Sequence, residues 1–138
     1  MSNSALSLLL YISWALFLLL LMEVLRSRLV LAGRVSSNEF KPDNSNLSPF
    51  MQRLARAHAN CIENLPIVGG LLVLALVTGQ SAVTDPLAIW LVIARVIQSS
   101  IHLASLSVAA VNARFAAFAV QMGIGIYWAV ALLSRHAK

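Results

Sequence analysis

From Ala5 to Met22 the chain runs eighteen residues without a charged side chain, and that length limits what it can become. Crossing the hydrocarbon of a bilayer takes about 20 predominantly apolar residues as α-helix. Three further stretches repeat the pattern. Residues 65–78 are apolar and borrow length from a polar helix before them. Residues 86–108 are interrupted only by Arg95, Gln98 and His102 among their larger polar side chains, and residues 115–133 carry no charge. Leu, Ile, Val and Ala dominate without the strict alternation of barrel strands, so helices are the way these segments satisfy their backbone in lipid. Charged residues make up 11% of the chain, against about 25% in soluble proteins. The sequence predicts an all-α membrane protein, four transmembrane helices forming one domain over residues 1–138.

The first stretch reads as a retained helix. Residues 1–4 are uncharged, no small-residue cleavage site follows, and Glu23, Arg26 and Arg28 come next. The net charge of +5 invites a nucleic-acid reading, but its distribution argues otherwise. Arg26, Arg28, Arg34, Lys41, Arg53 and Arg56 fall between the first and second stretches, and Arg114 between the third and fourth. The segment 79–85 has no Lys or Arg. The positive-inside rule then puts both basic connections in the cytoplasm and both termini outside, against the smaller weight of Arg135 and Lys138. Cys61, the only cysteine, rules out an intramolecular disulfide and reads as a small buried hydrophobe. A reactive thiol near Arg56 and His58 is the rival reading. Trp14, Trp90 and Trp128 read as lipid-facing or interfacial.

Turn chemistry concentrates in the polar loop 33–48. Ser48 followed by Pro49 marks a helix start, with serine as N-cap and proline at the first helical position. One long helix is expected from Pro49 to about Thr78, with a bend at Pro66. Thr84, Asp85 and Pro86 give a second start signal, for the third helix.

Polar residues recur with helical spacing where the membrane should exclude them. Arg56, Asn60 and Glu63 are related as i, i+4 and i+7, with Arg53 one turn earlier. At about 1.5 Å per residue, Arg56 and Glu63 lie roughly 10 Å apart along the axis. That separation suits a ligand carrying both charge signs better than a direct pair. Arg95 and His102 repeat the seven-residue spacing, with Gln98 and Ser99 between them. A charge at mid-membrane costs about 2.5–3.5 kcal/mol on insertion scales, so Arg95 is expected to face inward and find an anion, either Glu63 or a ligand. His58 and His102 lack an acidic or cysteine cluster at ligand spacing, so no metal site is expected. Two readings without chemistry stand beside the ligand site. One is a polar network that pins the helices, with Glu63 neutralising Arg95. The other is a small four-helix exporter, which would need a carboxylate deep in the first helix, where Glu23 lies only at the end beside Arg26.

Arg56, His58, Asn60, Cys61, Glu63, Asn64 and Pro66 resemble the signature of the membrane-associated proteins in eicosanoid and glutathione metabolism, the MAPEG superfamily, in a bacterial-type member. The similarity continues through Arg95, Ser99 and His102 to Asn112, Arg114 and Phe115, and covers about residues 49–133. The resemblance implies a left-handed four-helix bundle assembled as a homotrimer, in a bacterial inner membrane, with glutathione bound between subunits near the cytoplasmic side. It implies that Arg56, Asn60, Glu63 and Arg95 hold the tripeptide, that His58 and His102 support it, and that Arg114 stabilises the thiolate. It further implies a contribution from a first-helix arginine, Arg26 or Arg28. The implied activity is that of a glutathione-dependent transferase or peroxidase acting on lipophilic electrophiles or lipid hydroperoxides. Glutathione is the co-substrate, and no metal or nucleic acid takes part. His102 and Gln98 stand where several glutathione-using members have tyrosine and histidine. They keep open the alternative of a catalytically silent lipid-binding or scaffold protein.

Overall fold

A computed structural model describes residues 1–136, so Lys138 lies outside the described residues. Four helices follow in order: α1 (Asn3–Leu31), α2 (Pro49–Val77), α3 (Ser81–Ala104) and α4 (Val108–His136). All four are long and apolar enough to cross a membrane. Only a narrow stripe of each is buried. On α1 the stripe is Ser4, Ser7, Tyr11, Ala15, Leu18 and Met22, spaced three or four residues apart. The rest of α1, including Leu9, Leu16, Phe17 and Leu20, faces outward. An apolar exterior around an interior stripe is the pattern of a helix solvated by lipid. Close packing follows from small residues. A Cβ on Gly69 would meet the side chains of Leu65 at 3.1 Å and Leu8 of α1 at 3.4 Å. Helix α3 packs against all three others, whereas α1 and α4 do not touch and α2 meets α4 only lightly.

The expected start at Ser48 and Pro49 is present, with Ser48 Oγ accepting from the Met51 N–H. Pro66 lies inside the single helix α2. Helix α3 departs from expectation. It begins at Ser81, so Thr84, Asp85 and Pro86 lie within its first two turns and do not cap it. Asp85 instead reaches across the bundle, where its carboxylate accepts from the Ser4 N–H at 2.9 Å and from Ser4 Oγ at 2.6 Å. The first N–H groups of a helix have no intrahelical partner and carry partial positive charge, so a carboxylate from a neighbouring helix stabilises them as a cap would. Replacing Asp85 with alanine is expected to lower stability by about 1–2 kcal/mol. Asparagine should lose roughly half of that, because it keeps an acceptor without the charge. Reversible unfolding in mixed detergent micelles measures both, and an alanine variant as stable as the parent removes the cross-helix cap.

Trp128 corrects the expectation for the tryptophans, because it is fully buried in the core while Trp90 is exposed and Trp14 stacks on Phe17. Helix α4 starts seven residues earlier than expected, at Val108. Ser107 is its cap, accepting from the Ala110 N–H at 3.2 Å. Residues 108–113 therefore form helical turns ahead of Arg114. The loop after α1 is fastened by Asn44, which is buried with a φ of 55°, a conformation asparagine tolerates better than most residues. Its Oδ1 accepts from Arg26 Nη2 at 2.6 Å and Nε at 3.1 Å, and its Nδ2 donates to the Met51 carbonyl at 2.8 Å.

Candidate functional site

Arg95 is the buried charge around which the polar residues gather, at 1% exposure. No anion meets it. Its Nη1 donates to Asn60 Oδ1 at 2.7 Å and its Nε to Gln121 Oε1 at 2.9 Å. The Tyr11 ring lies beneath the guanidinium, 5.7 Å from centroid to Cζ, where the π face adds attraction for a cation. Of the two partners expected for Arg95, Glu63 or a ligand, the first does not meet it: neutral amide oxygens and an aromatic face hold the guanidinium, and Glu63 stays on the open surface of α2. Amides suffice because each accepts from a charged donor, which makes a stronger bond than a neutral one.

The amides form a connected set across three helices. Asn60 Oδ1 also accepts from Gln98 Nε2 at 3.0 Å, and Gln98 Oε1 accepts from Gln121 Nε2 at 2.8 Å. Asn64 Nδ2 approaches Gln121 Oε1 at 3.4 Å. Gln121 is fully buried and bonds Arg95 and Gln98 of α3 and Asn64 of α2. It escaped the sequence reading, which registered 115–133 only as free of charge; its signal was a lone carboxamide in an apolar helix. Tyr11 was missed likewise. Its hydroxyl donates to the Cys61 carbonyl at 3.1 Å, in a stretch that reads as pure lipid-facing helix. The Cys61 side chain is itself fully buried.

Helical geometry separates the remaining motif residues. Arg56 and Glu63 share an exposed face, and neither has an ion-pair partner among the described residues. Asn60 sits about 40° round from Arg56 at 100° per residue, enough to turn its oxygen inward to Arg95. His58, two residues from Arg56, falls on the other side of α2, half-buried and within Coulombic range of Glu23 of α1. It does not join the Arg56 face. Arg53 is anchored, its Nε donating to the Leu103 carbonyl at 3.0 Å. His102 is buried within Coulombic range of Arg53, Arg56 and Arg114, which gathers three cations from α2 and α4 around one imidazole.

Neither first-helix arginine reaches this cluster within the chain. Arg26 is held by Asn44, by the Lys41 carbonyl at 3.1 Å and by the Phe40 ring, and makes the one ion pair among the described residues, with Glu23 at 3.5 Å. Arg28 is exposed and lines a separate cavity. Among the described residues no group of three or more His, Cys, Asp or Glu is placed to hold a metal ion.

Three buried nitrogens near the centre have no partner: Arg95 Nη2, His102 Nε2 and Arg114 Nε. Buried polar atoms in folded proteins are nearly always paired, and exceptions call for a ligand or another explanation. Together with exposed Arg56 and Glu63, they give one half of the bundle, between its centre and the α1–α2 loop, a set of uncommitted nitrogens and one carboxylate. The set can chemically match a ligand with several anionic groups and one ammonium.

Comparison with curated proteins and with solved structures gives no match. A family model matches residues 4–134, nearly the whole chain and all four helices. The residues that build this cluster lie within that match, and the chain belongs to the MAPEG family, an integral membrane family of glutathione and eicosanoid metabolism.

Proposed function

We propose that the protein binds glutathione and activates its thiol for attack on a lipophilic electrophile or for reduction of a lipid hydroperoxide. The observation that carries this reading is the set of unpaired buried nitrogens on Arg95, His102 and Arg114, in the same half of the bundle as exposed Arg56 and Glu63. Glutathione carries two carboxylates, one ammonium and one thiol. Arg56 and Arg95 Nη2 would take carboxylate oxygens, and Glu63 would take the ammonium. Asn60 has its oxygen committed, but its amide N–H groups have no partner among the described residues and can donate. Arg114 would stabilise the thiolate, whose electron pair forms a carbon–sulfur bond as the electrophile's leaving group departs with its own pair. With a hydroperoxide it would instead attack the distal oxygen, the O–O bond breaking to an alkoxide that takes up the thiol's proton. A second glutathione would displace water from the resulting sulfenic acid to give the disulfide. His102 Nε2 would lie beside it. His58, on the other side of α2, would support the helix and not the ligand.

A homotrimer fits the same surface. Arg56 and Glu63 are exposed on the outer face of α2, where Ile62, Ile67 and Val73 are exposed apolar residues, and a charge left in lipid costs about 2.5–3.5 kcal/mol near mid-membrane. A neighbouring subunit covering that face would remove the cost and enclose the ligand. Arg34 and Lys41 in the connection before α2, with Arg26, Arg28, Arg53, Arg56 and Arg114 on the helix turns at the same side, support an orientation with the site on the cytoplasmic side of a bacterial inner membrane and both termini outside.

Isothermal titration of the detergent-solubilised protein with glutathione tests the reading. Saturable binding is expected, weakened at least tenfold in Glu63→Ala, since losing one charge-assisted contact is worth about 1.5–3 kcal/mol. Absence of saturable binding in the parent protein rejects the proposal.

A further inference from the structure

A second cavity lies at the same end of the bundle but away from the network. It has a volume of about 500 Å³ and is bounded by the last turns of α1, the loop and the first turn of α2. Two arginines, Arg28 and Arg34, line it, with no acidic residue among its walls. Neither guanidinium has a hydrogen-bond or ion-pair partner among the described residues. Its floor is apolar, built chiefly from Leu25, Leu29, Leu47 and Met51. Leu25 and Leu29 are one helical turn apart and extend the apolar side of α1 toward the bilayer.

Depth identifies the ligand chemistry. The charge-free part of α1 ends at Met22. Arg28 lies six residues further, roughly 9 Å along the axis, where the headgroup layer adjoins the hydrocarbon. We propose that this cavity binds an anionic phospholipid, with the phosphate held by Arg28 and Arg34 and the upper acyl carbons on Leu25 and Leu29. Arginine suits phosphate because its planar fork donates two parallel bonds. The bulk membrane supplies the lipid, so the site is occupied whether or not glutathione is bound, and the inference does not depend on the proposed activity. Its effect on the fold is to tie the connection after α1, already pinned by Asn44 and Arg26, to the membrane surface.

Native mass spectrometry of the full chain in nanodiscs, with phosphatidylglycerol competing against phosphatidylcholine, tests the assignment. The parent is expected to retain phosphatidylglycerol preferentially. A basic side chain near an anionic surface is worth a factor of about five, so Arg28→Gln or Arg34→Gln should lower the preference about fivefold and the double variant about 25-fold. Arg28→Lys with Arg34→Lys should restore most of it. Arg135→Gln, an exposed arginine at the opposite end of the bundle, should leave it unchanged. Any of four results overturns the proposal. One is a preference that survives the double glutamine change, or falls equally with Arg135→Gln. Another is binding of soluble glycerophosphate as tight as that of the lipid, which would make the apolar floor idle. The last is a changed subunit number in the double glutamine variant, which would mark the cavity as a contact between copies of the chain.

Discussion

Gln121→Leu is expected to destabilise the bundle by about 3 kcal/mol, a large effect for a neutral side chain in a membrane helix. Interhelical hydrogen bonds between neutral groups average only about 0.6 kcal/mol, because the unfolded chain in lipid also finds partners. The loss of a bond is therefore not the main term. Gln121 is the acceptor for Arg95 Nε and the donor to Gln98 Oε1. Leucine leaves both atoms buried and unpaired, at about 1–3 kcal/mol each and more where one is charged. Better packing of leucine offsets part of this. A second change separates the causes. If the stranded guanidinium dominates, Arg95→Met combined with Gln121→Leu should be more stable than Gln121→Leu alone, since removing both partners of a buried pair costs less than removing one. Unfolding in mixed micelles gives the four corners of this cycle, with an expected coupling of about 1–3 kcal/mol. A Gln121→Leu protein within about 0.5 kcal/mol of the parent would mean the network does not hold the bundle together.

The same residue shows where the sequence stops being readable. Four helices follow from hydropathy alone, because lipid leaves the backbone no alternative in stretches of that length. Arg56, Asn60, Glu63 and Arg95 stand out because charges and amides are costly there. Gln121 and Tyr11 do not, since one uncharged polar side chain barely changes the mean over a span. Partner identity is also hidden. Periodicity placed Arg95 inward but not opposite amides, since that depends on the register between α2, α3 and α4. Asp85 looked like a local cap and serves another helix, because α1 and α3 begin at the same end of the bundle. His58 lies inside the most specific motif yet turns from its face by the geometry of 100° per residue. A family motif groups residues by sequence, whereas the helix sorts them by angle.

Arg114 is the residue whose removal is expected to change the proposed chemistry most. A free thiol titrates near pH 8.5, so only about 3% is ionised at pH 7. A lowering of two units would ionise most of it and needs about 2.7 kcal/mol of preferential interaction with the thiolate. One guanidinium in a partly desolvated site can supply that. Arg114 is half-exposed while its Nε is buried without a partner, which leaves a directed donor for an anion that arrives with the ligand. Arg114→Ala should therefore lose the thiolate absorbance of bound glutathione at neutral pH and lower kcat/KM about 25-fold at pH 7, the drop in the ionised fraction. Glutathione affinity should change far less, because Arg56, Glu63 and Arg95 would hold the charged ends. The sign of the pH effect is distinctive. The cation lowers the thiol pKa, so its removal raises that pKa, and the variant should regain much of its rate between about pH 7 and 9 as the thiol ionises unaided. The parent, already ionised, should gain little over that range. Arg114→Lys should fall between them, retaining the charge without the planar donor. Stopped-flow absorbance at the thiolate band, read against pH for the three proteins, distinguishes this role from a structural one. A purely structural arginine would lower rate and binding together and leave the pH profile where it was.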